Sequence, residues 1–146
     1  MARILLAASE TLSAPVMRAA LAGHELLEPK DLHEAERLIQ EASIELFVIG
    51  VQFDDSRGME LVKRIRLDQA YKKTPILIVR VTPSEMASFI RQTMDTMKSL
   101  GVISDYLELE GDPLAEVKIR DEVSKFLQRR KTFSQSKHKD RTSKTD

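Results

Sequence analysis

The stretch Glu45-Leu46-Phe47-Val48-Ile49-Gly50 limits the fold more than any other part of the chain. It places four large apolar residues in a row between an acid and a glycine. A run this short and apolar at every position reads as a strand buried on both faces rather than a half-exposed one. A strand of that kind needs helices above and below it, and so belongs in a parallel sheet. In open parallel sheets the chemistry sits just beyond the carboxyl ends of the strands. The residue in that place is Gly50, which has no side chain to offer.

Four more apolar runs alternate with helical patterns. Ile4 to Ala8 predicts a first strand, followed by a turn through Ser9-Glu10-Thr11. A helix capped by Thr11 or Ser13 follows, with Pro15 in its first turn, Val16, Ala19, Ala20 and Leu21 inward, and Gly23 as its stop. Glu25 to Glu28 predicts a short strand. Asp31, with Glu34 three residues on, starts a second helix whose apolar stripe is Leu32, Ala35, Leu38, Ile39 and Ala42. Beyond the strand at 45–50, a loop through Asp54 and Asp55 leads to a helix from Gly58, patterned by Met59, Leu61, Val62, Ile65 and Leu67. Ile76 to Val79 is a fourth strand, and a long helix runs from about Pro83 to Leu100. A fifth strand lies within 102–109. Asp112-Pro113 then opens a last helix with Leu114, Val117, Val123, Phe126 and Leu127 inward. Five strands alternating with five helices predict an open, doubly wound α/β sheet with helices on both faces.

The chain is long enough for one domain with a sizeable core. It has no cysteine, which excludes disulfides, thiolate catalysis and cysteine-bound zinc. No apolar run approaches the roughly 18 residues needed to cross a bilayer. Met1 to Ala8 lacks the features of a secretory signal, so a cytoplasmic location and no membrane contact are expected. Net charge is zero but unevenly spread. Residues 129–146 hold seven of the 23 basic residues and two of the 23 acidic ones, a balance of +5 that leaves residues 1–128 at −5. Apolar residues nearly vanish after Lys131. The expected organisation is a domain over 1–128 and a basic, disordered tail over 129–146. That tail invites weak non-specific contact with nucleic acid at most, having little aromatic content to stack on bases.

Several phrases of the chain resemble the receiver domain of bacterial response regulators. They are Arg3 to Glu10, the helix around Ala35, Glu45 to Gly50, Gly58-Met59-Glu60-Leu61-Val62-Lys63-Arg64-Ile65-Arg66, Thr74-Pro75-Ile76-Leu77-Ile78, and Gly101 with Ser104-Asp105-Tyr106-Leu107. The resemblance covers residues 3 to about 128. It implies a flavodoxin-like (βα)5 fold with strand order 2-1-3-4-5, here with a lengthened helix 4.

The phosphorylation chemistry that the resemblance implies is missing its residues. Aspartyl phosphate needs a carboxylate nucleophile, an acidic pair holding magnesium, and a hydroxyl and a lysine for the phosphoryl oxygens. The corresponding positions are Gly50 for the nucleophile, Ala8 and Ser9 for the acidic pair, Arg80 for the hydroxyl and Leu109 for the lysine. Magnesium, which demands hard oxygen donors, loses most of its ligands. The resemblance is therefore to a degenerate, or pseudo-, receiver with no cofactor, no metal site and no enzymatic activity.

Arg80 is expected to turn into the vacated pocket and pair with Glu10, Asp54 or Asp55; a solvated side chain or an anion contact are its other readings. Met86, Phe89, Ile90, Met94 and Met97 line helix 4 at helical spacing, and with Tyr106 form the candidate partner surface, core packing being their bland alternative. His24, His33 and His138 lack second donors at ligand spacing. The leading expectation is a phosphorylation-independent protein–protein interaction module in bacterial two-component-type signalling. It would dock a partner or a second copy through the helix 4–strand 5–helix 5 face. The alternatives are an anion sensor built on Arg80, or the regulatory domain of a longer response regulator.

Overall fold

The computed structural model describes residues 1–9, 13–81 and 86–129. Five strands form one sheet: β1 (Arg3–Ala7), β2 (Glu25–Leu27), β3 (Leu46–Gly50), β4 (Ile76–Arg80) and β5 (Asp105–Glu108). Their order is β2-β1-β3-β4-β5 and all four pairings are parallel. Between them run α1 (Ala14–Ala20), α2 (Leu32–Glu41), α3 (Gly58–Leu67) and α4 (Ala87–Ser99), and α5 follows over 115–129. This is the flavodoxin-like arrangement.

Strand β3 is central, and all five of its residues are buried. Its side chains alternate between two cores. Phe47 and Ile49 meet Ile39 of α2, Leu61, Val62 and Ile65 of α3, and Met94 of α4. Leu46 and Val48 meet Met17 and Leu21 beside α1, and Ile119 and Val123 of α5. Each fully buried aliphatic side chain of this kind stabilises the fold by ~1.5–3 kcal/mol relative to exposure. The apolar run could thus tolerate no polar residue at any position.

Some helical faces differ from the sequence reading. In α1 the core residue is Met17; Val16 is half-buried and Ala19 exposed. Ser13 precedes α1 without a side-chain cap bond. Thr11 lies outside the described residues. Leu67, Leu114 and Val117 are exposed, while Ala115 and Ile119 carry the start of α5 inward. Asp31 does cap α2, accepting from the N–H of Glu34 at 2.8 Å. Helix α4 begins at Ala87, four residues later than Pro83, with residues 83–85 outside the described set. Helix α5 continues through residue 129, so the boundary at 128 falls inside it. Most of the expected tail, residues 130–146, lies outside the described residues.

A buried tyrosine and a half-buried arginine fasten the connections. Tyr71 donates its hydroxyl to the carbonyls of Ala42 (2.6 Å) and Ile39 (3.1 Å) and sets its ring edge-on to Phe47. Arg66 donates to the carbonyls of Val102, Tyr71 and Thr74 at 2.7–2.8 Å, tying the end of α3 to the loops entering β4 and β5. Burial alone pulls its guanidinium below its ordinary pKa.

Candidate functional site

The carboxyl ends of β1, β3 and β4 bring most of the candidate positions to one edge. Gly50 ends β3 and is buried. A Cβ placed on it would lie 3.2 Å from Ser13 Oγ and 3.5 Å from the Cα of Ala8. Ser13, itself buried, therefore stands over the point where a nucleophile side chain would begin. The start of α3 closes in as well, since a Cβ on Gly58 would sit 2.9 Å from the carbonyl oxygen of Gly50. Only glycine permits that approach.

Ala8 and Ser9 are half-buried and line a cavity of about 620 Å³ with Gln52, Asp54 and Asp55. Asp54 is committed elsewhere. Its carboxylate accepts the N–H of Leu32 at 2.9 Å, a second cap on the start of α2. Asp54, Asp55 and Ser56 hold φ of 45°, 54° and 67°, three successive left-handed residues in the turn Phe53–Ser56. Asp55 is exposed. Among the described residues no three His, Cys, Asp or Glu side chains converge as metal ligands. Glu10 lies outside the described residues.

Arg80 does not follow the expected course into that cavity. Alternation along β4 puts it on the same face as Ile76 and Ile78, toward α4, and its side chain is 4% exposed. It stands opposite Glu108 in the β4–β5 register. Its guanidinium pairs with Glu108 at 3.0 Å and with Glu110 at 2.9 Å, and its Nε donates to the hydroxyl of Tyr106 at 3.3 Å. Arg91 of α4 donates to the other oxygen of Glu108 at 2.8 Å. Tyr106 donates its hydroxyl to Glu108 at 3.4 Å. Two cations thus meet two carboxylates and a phenol where β4, β5 and α4 join. The expected pairing with Asp54 or Asp55 is replaced by one with β5, because strand register decides which carboxylates come within reach.

The electrostatics follow from this arrangement. Burial opposes the charge on Arg80, but the hydrogen bonds it donates to Glu110, Tyr106 and Glu108 outweigh it, and its pKa lies above the ordinary range. Burial pushes Glu108 up, yet Arg91 and Arg80 hold it below the usual carboxylate value. Burial raises Tyr106. Leu109 points the other way, buried with Leu77 and Val79 on the α1–α5 face. Glu108, Glu110, Arg91 and Ser13 were not candidates in the sequence reading. Only the β4–β5 register and the packing of α1 single them out.

The candidate partner surface divides. Met94 is core, which removes it from any surface. Ile90, Met97 and Tyr106 are half-buried against the same core. Met86 and Phe89 are 57% and 62% exposed. Beside them, Lys98 of α4 meets Asp105 of β5 at 3.0 Å, and Asp105 also shares a hydrogen bond with Glu122 of α5. His24 Nδ1 accepts from the N–H of Ala2, and His33 is exposed. His138 lies outside the described residues. No helix among the described residues is long and apolar enough to cross a membrane.

Solved structures similar to this one include response-regulator receivers. The signal receiver domain of a LuxO repressor protein from Vibrio parahaemolyticus aligns with a TM-score of 0.71 at 17% identity, over 92% of this chain and 96% of that one. The phosphorylated cyanobacterial phytochrome response regulator RcpA gives 0.67 at 17% identity, over 86% and 94%. The chemotaxis response regulator CheY4 of Vibrio cholerae gives 0.65 at 23% identity, over 86% and 98%. The chain thus has the receiver fold over nearly the whole length of these domains. No protein-family model matches it, and no curated protein matches its sequence.

Proposed function

We propose that this chain is a pseudo-receiver: a phosphorylation-independent, non-enzymatic protein–protein interaction module in bacterial two-component-type signalling, working in the cytoplasm. The observation that carries the reading is at Gly50. The position that would bear a nucleophile carboxylate has no side chain, and Ser13 Oγ stands 3.2 Å from where its Cβ would be. An acyl phosphate has no atom to form on. What the fold still offers is a surface along α4, β5 and α5, where Phe89 and Met86 are exposed and the Arg91–Glu108 and Lys98–Asp105 ion pairs hold α4 against β5. Large exposed apolar side chains on a well-ordered frame suit a partner protein or a second copy.

The Arg80 anion-sensor reading loses its support, since Glu108 and Glu110 already take up that charge. The experiment is incubation with acetyl phosphate and magnesium followed by intact-mass measurement, beside capture of partners with wild type and Phe89→Asp. The reading expects no phosphoryl adduct and loss of the captured partner in the variant. A stoichiometric, magnesium-dependent adduct overturns it.

A further inference from the structure

Between the turn after β3 and the first turns of α4 lies a second concavity of about 320 Å³. Its walls are thioether and aromatic: Met59 of α3, and Met86, Phe89, Ile90 and Met94 on and beside α4. Its polar groups are Gln52, Ser56 and Thr93, with the buried Arg80 in the floor. The volume lies at the small end of the ligand-pocket range of about 300–1,000 Å³, and the mix of apolar wall with a few polar groups is the usual one.

The charge at the floor decides what class of molecule fits. An unaccompanied guanidinium would select an anion. Here, among the described residues, Arg80 is met by Glu108 and Glu110, and Arg91 by Glu108 again, so two cations face two carboxylates. A charged ligand would lose its hydration and gain no unsatisfied counter-charge. Sulfur and aromatic walls favour a polarisable ring instead. Phe89 and Met86, both more than half exposed at the rim, would lose water contact when such a ring enters.

We infer that this groove between the β3–α3 turn and α4 is a binding site for a small, neutral, ring-bearing apolar molecule with at most one or two hydrogen-bonding groups. The groove shares Met86 and Phe89 with the proposed partner surface; binding of a small molecule is measured on the chain alone, so its failure leaves the interaction reading standing.

The test is fluorescence titration of the full chain with the neutral probe N-phenyl-naphthylamine, beside its anionic relative anilinonaphthalene sulfonate. Saturable one-to-one binding of the neutral probe is expected, with the sulfonate weaker. Phe89→Ser, at an exposed site where folding is safe, should weaken the neutral probe by about ten-fold. Leu67→Ser, an equally exposed apolar residue at the far end of α3, should leave it unchanged. Thr93→Phe adds apolar surface but fills the groove; it should abolish binding if the groove is the site and strengthen it if the probe only adheres to apolar surface. The assignment falls on any of four results: no saturation, tighter binding of the sulfonate, indifference to Phe89→Ser, or retained binding in Thr93→Phe. Release of the probe as protein concentration rises would mean that a second copy fills the groove, and would overturn it too.

Discussion

Arg80 and Glu108 face each other across the β4–β5 register, 3.0 Å apart, with the arginine 4% exposed. A buried pair of this sort gains little net stability over a hydrophobic replacement, but losing one member leaves a charge stranded. Arg80→Met should therefore destabilise the fold by roughly 3 kcal/mol, the low edge of the range for such losses, because Glu108 keeps Arg91 and Glu110 can turn to water. Adding Glu108→Leu should restore part of the loss. Urea denaturation of the two single variants and the double variant checks this through the sign of the coupling.

The same pair fixes an acid limb. Glu108 titrates below its ordinary value in the fold, so its contribution is present above the unfolded pKa and is lost as pH falls through the folded one. Glu108→Gln should flatten the decline in stability below about pH 5, the region where unfolded carboxylates begin to titrate. Urea midpoints between neutral and acid pH measure it. An unchanged acid slope would show that other carboxylates carry the effect.

Gly50→Asp restores the carboxylate without restoring the space. Its Cβ would press on Ser13 Oγ, and its charge would be buried beside Ala8. The expected outcome is a protein less stable by roughly 2–4 kcal/mol that still takes no phosphoryl group from acetyl phosphate. Gly50→Ala should be milder, at about 1 kcal/mol, and combining it with Ser13→Gly should recover part of that loss. Strictly additive losses would mean Ser13 is not what fills the position.

The sheet could be read from the chain because its signals are local. Strand β3 is apolar at every position and can only be buried on both faces, and Asp31 with Glu34 marks a helix start wherever it occurs. The face of α1 was harder. The spacing points Val16, Ala19, Ala20 and Leu21 inward, but packing against β1 and β3 turns Met17 in with Ala20 and Leu21 and leaves Ala19 exposed. The site could be read only for what it lacks. Its occupants depend on which residue of β5 pairs with Arg80 and on where Asp54 reaches across to α2, and neither distance is encoded in sequence spacing.

Glu122 behaves in the opposite sense to Glu108. Its hydrogen bond with Asp105, helped by burial, raises its pKa, while Asp105, pushed up by its own burial, is held low by that same bond and by Lys98. Lys125 and Arg129 oppose the rise on Glu122. A carboxyl whose folded pKa is raised contributes its stability below the unfolded pKa and loses it as pH climbs through the folded value. As pH climbs, the pair turns from a hydrogen-bonded acid and carboxylate into two repelling carboxylates. Glu122→Gln keeps a neutral donor toward Asp105 and should stabilise the protein more at pH 7 than at pH 4. Thermal melts at the two pH values decide it.

The turn after β3 stores strain that can be released at one residue. Asp54, Asp55 and Ser56 are left-handed in succession, a conformation that costs about 1–2 kcal/mol for each residue with a side chain. Asp54 must stay, since its carboxylate caps Leu32; Asp54→Ala should lose about 1 kcal/mol, the usual effect of removing a cap. Ser56 at φ 67° has an exposed side chain. Ser56→Gly should therefore raise stability by about 0.5–1 kcal/mol, the relief of the left-handed penalty being offset in part by the freer unfolded chain. Chemical denaturation of the two variants should move in opposite directions. If Ser56→Gly instead destabilises, the turn is held by side-chain contacts of Ser56 rather than tolerated in spite of them.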